Sequence, residues 1–96
     1  MSEKIKVNYP MLEDMAKHCD KVHEQMQALA TLTKNWGSQM QNGALQGAPG
    51  EAFVGALAIL ANKINAIGAK FTEEAGDIRG AVEDMRAADT KAGSKF

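Results

Sequence analysis

The stretch that decides the fold is GALQGAPGEAF, Gly43 to Phe53. Its first eight positions hold three glycines and one proline, and it separates two long segments with helical periodicity. This composition interrupts a helix, because glycine leaves the backbone free and proline removes a hydrogen-bond donor. The segments on either side are therefore expected to fold back on one another across a short turn at residues 43–48.

The first segment, from about residue 10 to residue 42, carries apolar residues at alternating steps of three and four. This spacing predicts an amphipathic helix. Asn8 is a suitable N-cap, and Pro10 suits the first turn. Together with Thr33, the predicted apolar stripe is Leu12, Met15, Cys19, Val22, Met26, Leu29, Trp36 and Met40.

The second segment, from about residue 49 to residue 88, predicts a second helix with one additional step of four between Phe71 and Ala75. Pro49 and Glu51 suit its start. After residue 88 the sequence DTKAGSKF is expected to be a flexible tail, residues 89–96. The predicted stripe is Phe53, Leu57, Leu60, Ile64, Ile67, Phe71, Ala75, Ile78, Val82 and Met85.

These segments predict an all-α protein with a single domain over residues 1–96. At 1.5 Å per residue the helices are roughly 50 and 60 Å long, and the short turn makes them antiparallel. The large side chains of the two stripes are expected to form the core of this helical hairpin.

The second helix also carries small residues beside its stripe. Gly68 and Gly76 each destabilise a helix interior by about 1 kcal/mol relative to alanine, so we expect another backbone to approach them closely. One hairpin has one internal face, which predicts a second hairpin and a four-helix bundle. The alternative is that the glycines lie on a solvated side. The predicted dimer interface is Val54, Ala58, Ala61, Gly68, Ala75 and Gly76.

Composition argues against several classes of function. The net charge is -1 and no basic patch occurs, which argues against nucleic acid binding. The turn lacks the Gly-Lys-Ser/Thr ending of a phosphate-binding loop. His18 and His23 are five residues apart and do not share a helix face, and Cys19 is the one cysteine. We therefore expect no catalysis, no metal and no cofactor. Neither a signal peptide nor a stable membrane insertion is expected.

The turn resembles that of the WXG100 family of bacterial type VII secretion. Members of this family are helical hairpins with Trp-x-Gly in the turn and an aromatic residue early in the second helix. Leu45, Gln46 and Gly47 fall where Trp-x-Gly is expected, and Phe53 falls where the aromatic residue is expected. Leu45 replaces the signature tryptophan, so the chain resembles a divergent member. Trp36 is expected to pack in the core.

The end of the chain resembles an export pattern of the same family. This pattern is a bulky residue, an acidic residue four positions later, an apolar residue three further on and another four beyond that. Met85, Asp89, Ala92 and Phe96 have this spacing. The alternative is a frayed tail that carries no signal.

The resemblance implies a non-enzymatic protein that leaves the cytoplasm folded, as a dimer, and is secreted without a cleavable signal. The type VII secretion ATPase would read the tail of one protomer beside the turn of its partner. One role is a secreted effector or export partner that forms a homodimer, or a heterodimer with another WXG100-like protein. A second role is a targeting chaperone for the helical N-terminal region of a larger toxin, which the missing turn tryptophan favours. A helical adaptor unrelated to secretion is a third.

Overall fold

The computed structural model describes residues 7–43 and 45–93, which form two long helices packed as an antiparallel hairpin. Helix α1 spans Tyr9–Asn42 and helix α2 spans Ala48–Gly93. The molecule measures 75 × 20 × 16 Å. The predicted hairpin is confirmed, but the predicted flexible tail is wrong up to residue 93, because α2 continues through Gly93. The last three residues of the predicted tail lie outside the described residues.

The start of α1 follows the sequence prediction. The Asn8 side-chain oxygen accepts a hydrogen bond from the Met11 N–H at 3.0 Å, and the Asn8 carbonyl accepts one from the Leu12 N–H at 3.2 Å. Pro10 lies in the first turn, where its missing N–H leaves no helical bond unmade. Asn8 therefore caps α1 as predicted.

Glycines set the geometry of the turn. The Leu45 N–H donates to the Met40 carbonyl at 2.7 Å, and the Glu51 N–H donates to the Gly47 carbonyl at 3.0 Å. Gly47 has a φ of 78°, a conformation that side chains disfavour. At Gly50 an added Cβ would lie 2.0 Å from the Leu45 carbonyl oxygen. Both glycines are thus required where the chain reverses.

Small side chains form the contact between the two helices. Ala16, Ala61 and Ala75 have no exposed surface, and a Cβ added to Gly37 would meet the Leu57 Cδ1 atom at 3.3 Å. Small residues let two helix backbones approach closely. The buried residues are Ala16, Ala30, Thr33 and Gly37 on α1, and Gly50, Ala61, Gly68, Ala75 and Val82 on α2.

The predicted dimer interface is therefore wrong at its centre. Three of its residues are buried within the hairpin: Ala61, Gly68 and Ala75. Val54 and Ala58 are half-buried, whereas Gly76 is exposed and has open space around it. The seven-residue spacing identified a row of small residues correctly, but that row packs against α1 of the same chain.

The predicted core of large side chains is also wrong in part. Seven of its members are exposed: Met15, Leu29, Trp36, Met40, Phe53, Leu60 and Ile67. Val82 is buried. The other members are half-buried: Leu12, Cys19, Val22, Met26, Leu57, Ile64, Phe71, Ile78 and Met85. Because the rows of small residues occupy the middle of the helix contact, the large side chains lie beside that contact or outside it.

One polar contact joins the helices near their middle. The His23 Nδ1 atom lies 2.7 Å from the Gly68 carbonyl oxygen. A carbonyl oxygen only accepts, so Nδ1 carries the proton. A Cβ at Gly68 would lie 2.9 Å from the Met26 Cβ atom and 3.7 Å from His23 Nδ1. The missing side chain at Gly68 thus makes room for both residues of α1.

A matched pair of substitutions tests this contact. Gly68→Ala is expected to lower the free energy of unfolding by about 1–3 kcal/mol, because the new methyl group overlaps the Met26 Cβ atom. Gly76→Ala is expected to raise it by up to about 1 kcal/mol, since the site is open and alanine favours a helix. Urea denaturation followed by circular dichroism measures both. Equal stabilisation by both substitutions would contradict the close approach at Gly68.

Candidate interaction surface

One side of the hairpin, the charged side, is crossed by two ion pairs. Arg79 lies 2.6 Å from the Asp20 carboxylate, and Arg86 lies 2.8 Å from the Glu13 carboxylate. Each pair joins α2 to α1, and each side chain is about half exposed. Exposed pairs of this kind contribute about 0–1 kcal/mol, so they align the helices more than they stabilise them.

A second side, the apolar side, carries large apolar side chains. Trp36 is 51% exposed and Ile67 is 49% exposed. Trp36 of α1 and Phe53 of α2 line one cleft together, so apolar rows from both helices meet on this side. Within each row the residues recur every seventh position. The rows are Met15, Val22, Leu29 and Trp36 on α1, and Phe53, Leu60 and Ile67 on α2; Met11, Leu32 and Met40 flank the α1 row.

Two clefts open along these rows. The turn cleft, of about 370 Å³, is lined by Trp36, Gln39, Met40, Phe53 and Leu57. The N-terminal cleft, of about 410 Å³, lies near the start of α1. Its apolar lining is Met11, Met15, Cys19, Val22 and Phe71, and its polar lining is Asp14 and His18.

The apolar side leaves much of the hydrophobic surface of this chain in water. Within residues 7–43 and 45–93, no large side chain is fully buried. Large exposed apolar patches are typical of interaction sites, so the apolar side is the candidate interaction surface. By length and composition, α2 is also long and apolar enough to cross a membrane. It contains an 18-residue window with a mean hydropathy of 1.5, and 11% of this window is buried within the hairpin.

The residues predicted for the turn motif lie at two places. Leu45 is half-buried in the turn and Gly47 supplies the positive φ. Phe53 lies one turn into α2, on the apolar side beside Trp36. Sequence reasoning assigned Trp36 to the core and missed this pairing. The signal was present, because both residues belong to rows with seven-residue spacing.

The residues predicted for the export pattern lie at the opposite end of the hairpin. Asp89 accepts a hydrogen bond from the Tyr9 hydroxyl, and the Arg86 guanidinium lies 4.9 Å from the centre of the Tyr9 ring. Met85 is half-buried and Ala92 is exposed. Phe96 lies outside the described residues. Sequence reasoning missed Tyr9, since its contact with Asp89 spans 80 positions.

The other candidate side chains stay apart. His18 is exposed in the N-terminal cleft, His23 is bonded to the Gly68 carbonyl, and Cys19 is a half-buried free thiol. Among the described residues, no three His, Cys, Asp or Glu side chains are grouped so that they could hold a metal ion. Comparison with family models, with curated proteins and with solved structures gives no match to this chain.

The contact between Tyr9 and Asp89 predicts a titration. The hydrogen bond to the Asp89 carboxylate, with smaller effects of desolvation and charge, raises the pKa of Tyr9 above its ordinary 10.0. The neutral hydroxyl is the donor, so the contact stabilises the fold below the ordinary pKa and is lost as the pH rises through the raised pKa. Tyr9 is the one tyrosine, so ultraviolet absorbance reports it alone. Asp89→Ala is expected to return the pKa of Tyr9 towards 10.0. An unchanged titration curve would contradict the contact.

Proposed function

We propose that this chain is a non-enzymatic, WXG100-like protein that a bacterial type VII system exports, and that it works as one half of a four-helix bundle. The observation that carries the proposal is the apolar side, where exposed large side chains run along both helices. A second helical hairpin with a similar side would cover them. The bundle partner is a second copy of this chain or another WXG100-like protein.

The composition of the helix contact supports the need for a partner. The fully buried side chains of the hairpin are alanines, which remove little apolar surface from water. A small chain that buries so little is marginally stable alone. Packing a second hairpin on the apolar side would bury Leu29, Trp36 and Ile67 and supply the missing hydrophobic stabilisation.

The turn supports the resemblance to exported hairpins. Gly47 and Gly50 are required by the reversal of the chain, and Phe53 follows them on the apolar side. In this proposal Leu45 takes the position of the signature tryptophan. It is half-buried in the turn.

The end of α2 would supply the export cue. Asp89 is held by Tyr9 at the open end of the hairpin, and Met85 and Ala92 belong to the same pattern. If two hairpins pack antiparallel, the turn of one lies beside this end of the other. The secretion ATPase would then recognise a surface that only the dimer presents. The protein would reside in the cytoplasm before export and in the medium after it.

A second candidate function is a targeting chaperone that binds the helical N-terminal region of a larger type VII toxin. Leu45 in place of the turn tryptophan favours this role, and the apolar side would accept an amphipathic helical region from a different protein equally well. The two roles differ in what purifies with the chain. A chaperone stays bound to a toxin, whereas an exported dimer is recovered with a small hairpin partner.

The export proposal is tested by secretion of a tagged chain from a host with an intact type VII system and from an ATPase knockout. Asp89→Ala is expected to abolish ATPase-dependent export, because the carboxylate would be read directly. Tyr9→Phe is the matched control, since it removes the same hydrogen bond and keeps the carboxylate, and it should be exported normally. Leu45→Ala is expected to reduce export, and Asp77→Ala, a substitution of an exposed acidic residue elsewhere on α2, should have no effect.

Three results would contradict this proposal. One is appearance of the chain in the medium of the knockout at the level of the intact host. Another is equal loss of export with Asp89→Ala and Tyr9→Phe, which would assign Asp89 a purely structural role. Retention in the cell with a toxin bound would support the targeting chaperone instead.

A further inference from the structure

We infer that the N-terminal cleft is the binding site for the Trp36 indole of a second copy of this chain. The inference rests on the bundle proposed above and deepens it, because it names the partner and the register of the packing. It joins two features of the apolar side, an exposed aromatic knob near the turn and an open apolar hole near the start of α1.

The hole exists because the α2 row stops supplying large side chains. Phe53, Leu60 and Ile67 recur every seventh residue, but the next two positions at that spacing are Glu74 and Ala81. Both are exposed, and neither brings an apolar side chain large enough to cover the cleft. Met11 and Met15 of α1 are consequently left uncovered on this side, with exposed fractions of 60% and 50%. The cleft of about 410 Å³ is lined by six side chains of α1 and, from α2, by Phe71.

The knob suits this hole in shape and in polarity. Trp36 carries the largest exposed apolar side chain of the described residues, and it lies next to Phe53 with half of its surface in water. An indole buries a large apolar area but needs an acceptor for its N–H. The lining of the cleft is apolar from Met15, Cys19 and Phe71, and it includes the Asp14 carboxylate, which accepts hydrogen bonds.

The positions of Trp36 and the N-terminal cleft allow each of two copies to fill the cleft of the other. Trp36 and Cys19 lie 17 positions apart on α1, which is about 26 Å along the helix axis. A two-fold axis that crosses α1 between Gln27 and Ala28 therefore places each Trp36 opposite the cleft of the other copy. Such an interface is isologous, so both contacts form together. Exposed Leu29 lies close to this axis.

The available area is that of a stable dimer. The apolar side runs from Met11 to Met40, about 44 Å at 1.5 Å per residue, and the hairpin is 20 Å wide. A strip of this size covers about 900 Å² on each copy, compared with about 800 Å² per partner in an interface of standard size. A lipid surface is a less suitable partner, because helices that bind lipid surfaces carry Lys and Arg beside their apolar face. Here the exposed charges beside the α2 row are two lysines and two aspartates, Lys63, Lys70, Asp77 and Asp84.

Disulfide trapping between two chains tests the register. Wild-type protein, which has Cys19 alone, is mixed with a variant that carries both Cys19→Ser and Trp36→Cys, and the mixture is oxidised mildly. The expected product is a mixed covalent dimer that joins Cys19 of one chain to the thiol introduced at position 36 of the other. It should be the predominant disulfide, and peptide mapping identifies it. The wild-type copy keeps Trp36, so one knob still fills one cleft in every mixed dimer.

The matched control is Lys34→Cys in the Cys19→Ser background. Lys34 is exposed, lies two residues from Trp36 and is directed away from the apolar row. It should give little or no mixed dimer. Circular dichroism verifies that each variant is helical. In the unmodified wild type, the Trp36 fluorescence should shift to shorter wavelength as the protein concentration rises and light scattering reports the dimer mass. Over the same range of concentration, acrylamide should quench this fluorescence less.

The outcomes separate this inference from the proposed export function. A dimer in which Cys19 links only to Cys19, or in which position 36 gives no more mixed product than position 34, overturns the register and leaves the four-helix bundle standing. A monomer at every concentration overturns the second copy as partner. The second copy is also overturned as the partner if the chain floats with vesicles of mixed neutral and anionic lipid and the Trp36 fluorescence shifts only when these vesicles are present. If the disulfide between Cys19 and position 36 forms as expected but the chain shows no ATPase-dependent secretion, the export function alone is overturned.

Discussion

The rest of this structure depends on the close approach of two helices through small residues. Ala16 of α1 and Ala61 and Ala75 of α2 are completely buried, and Gly68 has no room for a methyl group because the Met26 Cβ atom is in the way. When two helices meet this closely, large side chains cannot lie between them. They are displaced to the flanks, and the two flanks of this hairpin differ in chemistry.

The difference between the flanks gives the hairpin a direction in which to associate. On the charged side, ion pairs such as Arg79 with Asp20 satisfy the polar side chains within the chain itself. On the apolar side, Trp36 and Phe53 meet around a cleft and keep much of their surface in water. The same close packing that holds the helices together thus produces the surface on which a partner is proposed to bind.

Much of the fold could be predicted from the sequence, because its signals are local. The glycines and proline of the turn, the Asn8 cap and the spacing of the apolar residues predicted two long antiparallel helices, and this is what is found. The end of α2 was predicted too early, since the small and polar residues after Ala88 pack poorly but still continue the helix. The contact between Tyr9 and Asp89, which joins the start of α1 to the last part of α2, holds that region beside α1.

Which surface packs against each face of a helix could not be predicted in the same way. Periodicity reports which residues share a side of a helix, but it does not report what covers that side. The row containing Ala61 and Gly68 was correctly recognised as a surface for close approach, and it was assigned to a second chain because large residues were expected inside. Trp36 was placed in the core for the same reason. Only the register of the two helices shows that the small row faces inward and that the tryptophan remains outside.

The residues that hold the hairpin together are distinct from those that face outward, and this separation has a consequence for how such proteins diversify. A substitution at Leu29 or Trp36 changes the outer surface and leaves the contact between Ala61 and α1 untouched. After gene duplication, two copies can accumulate different outward side chains while each keeps the same fold. A single ancestral hairpin can therefore give rise to a set of proteins that share one shape and differ in the partners they select.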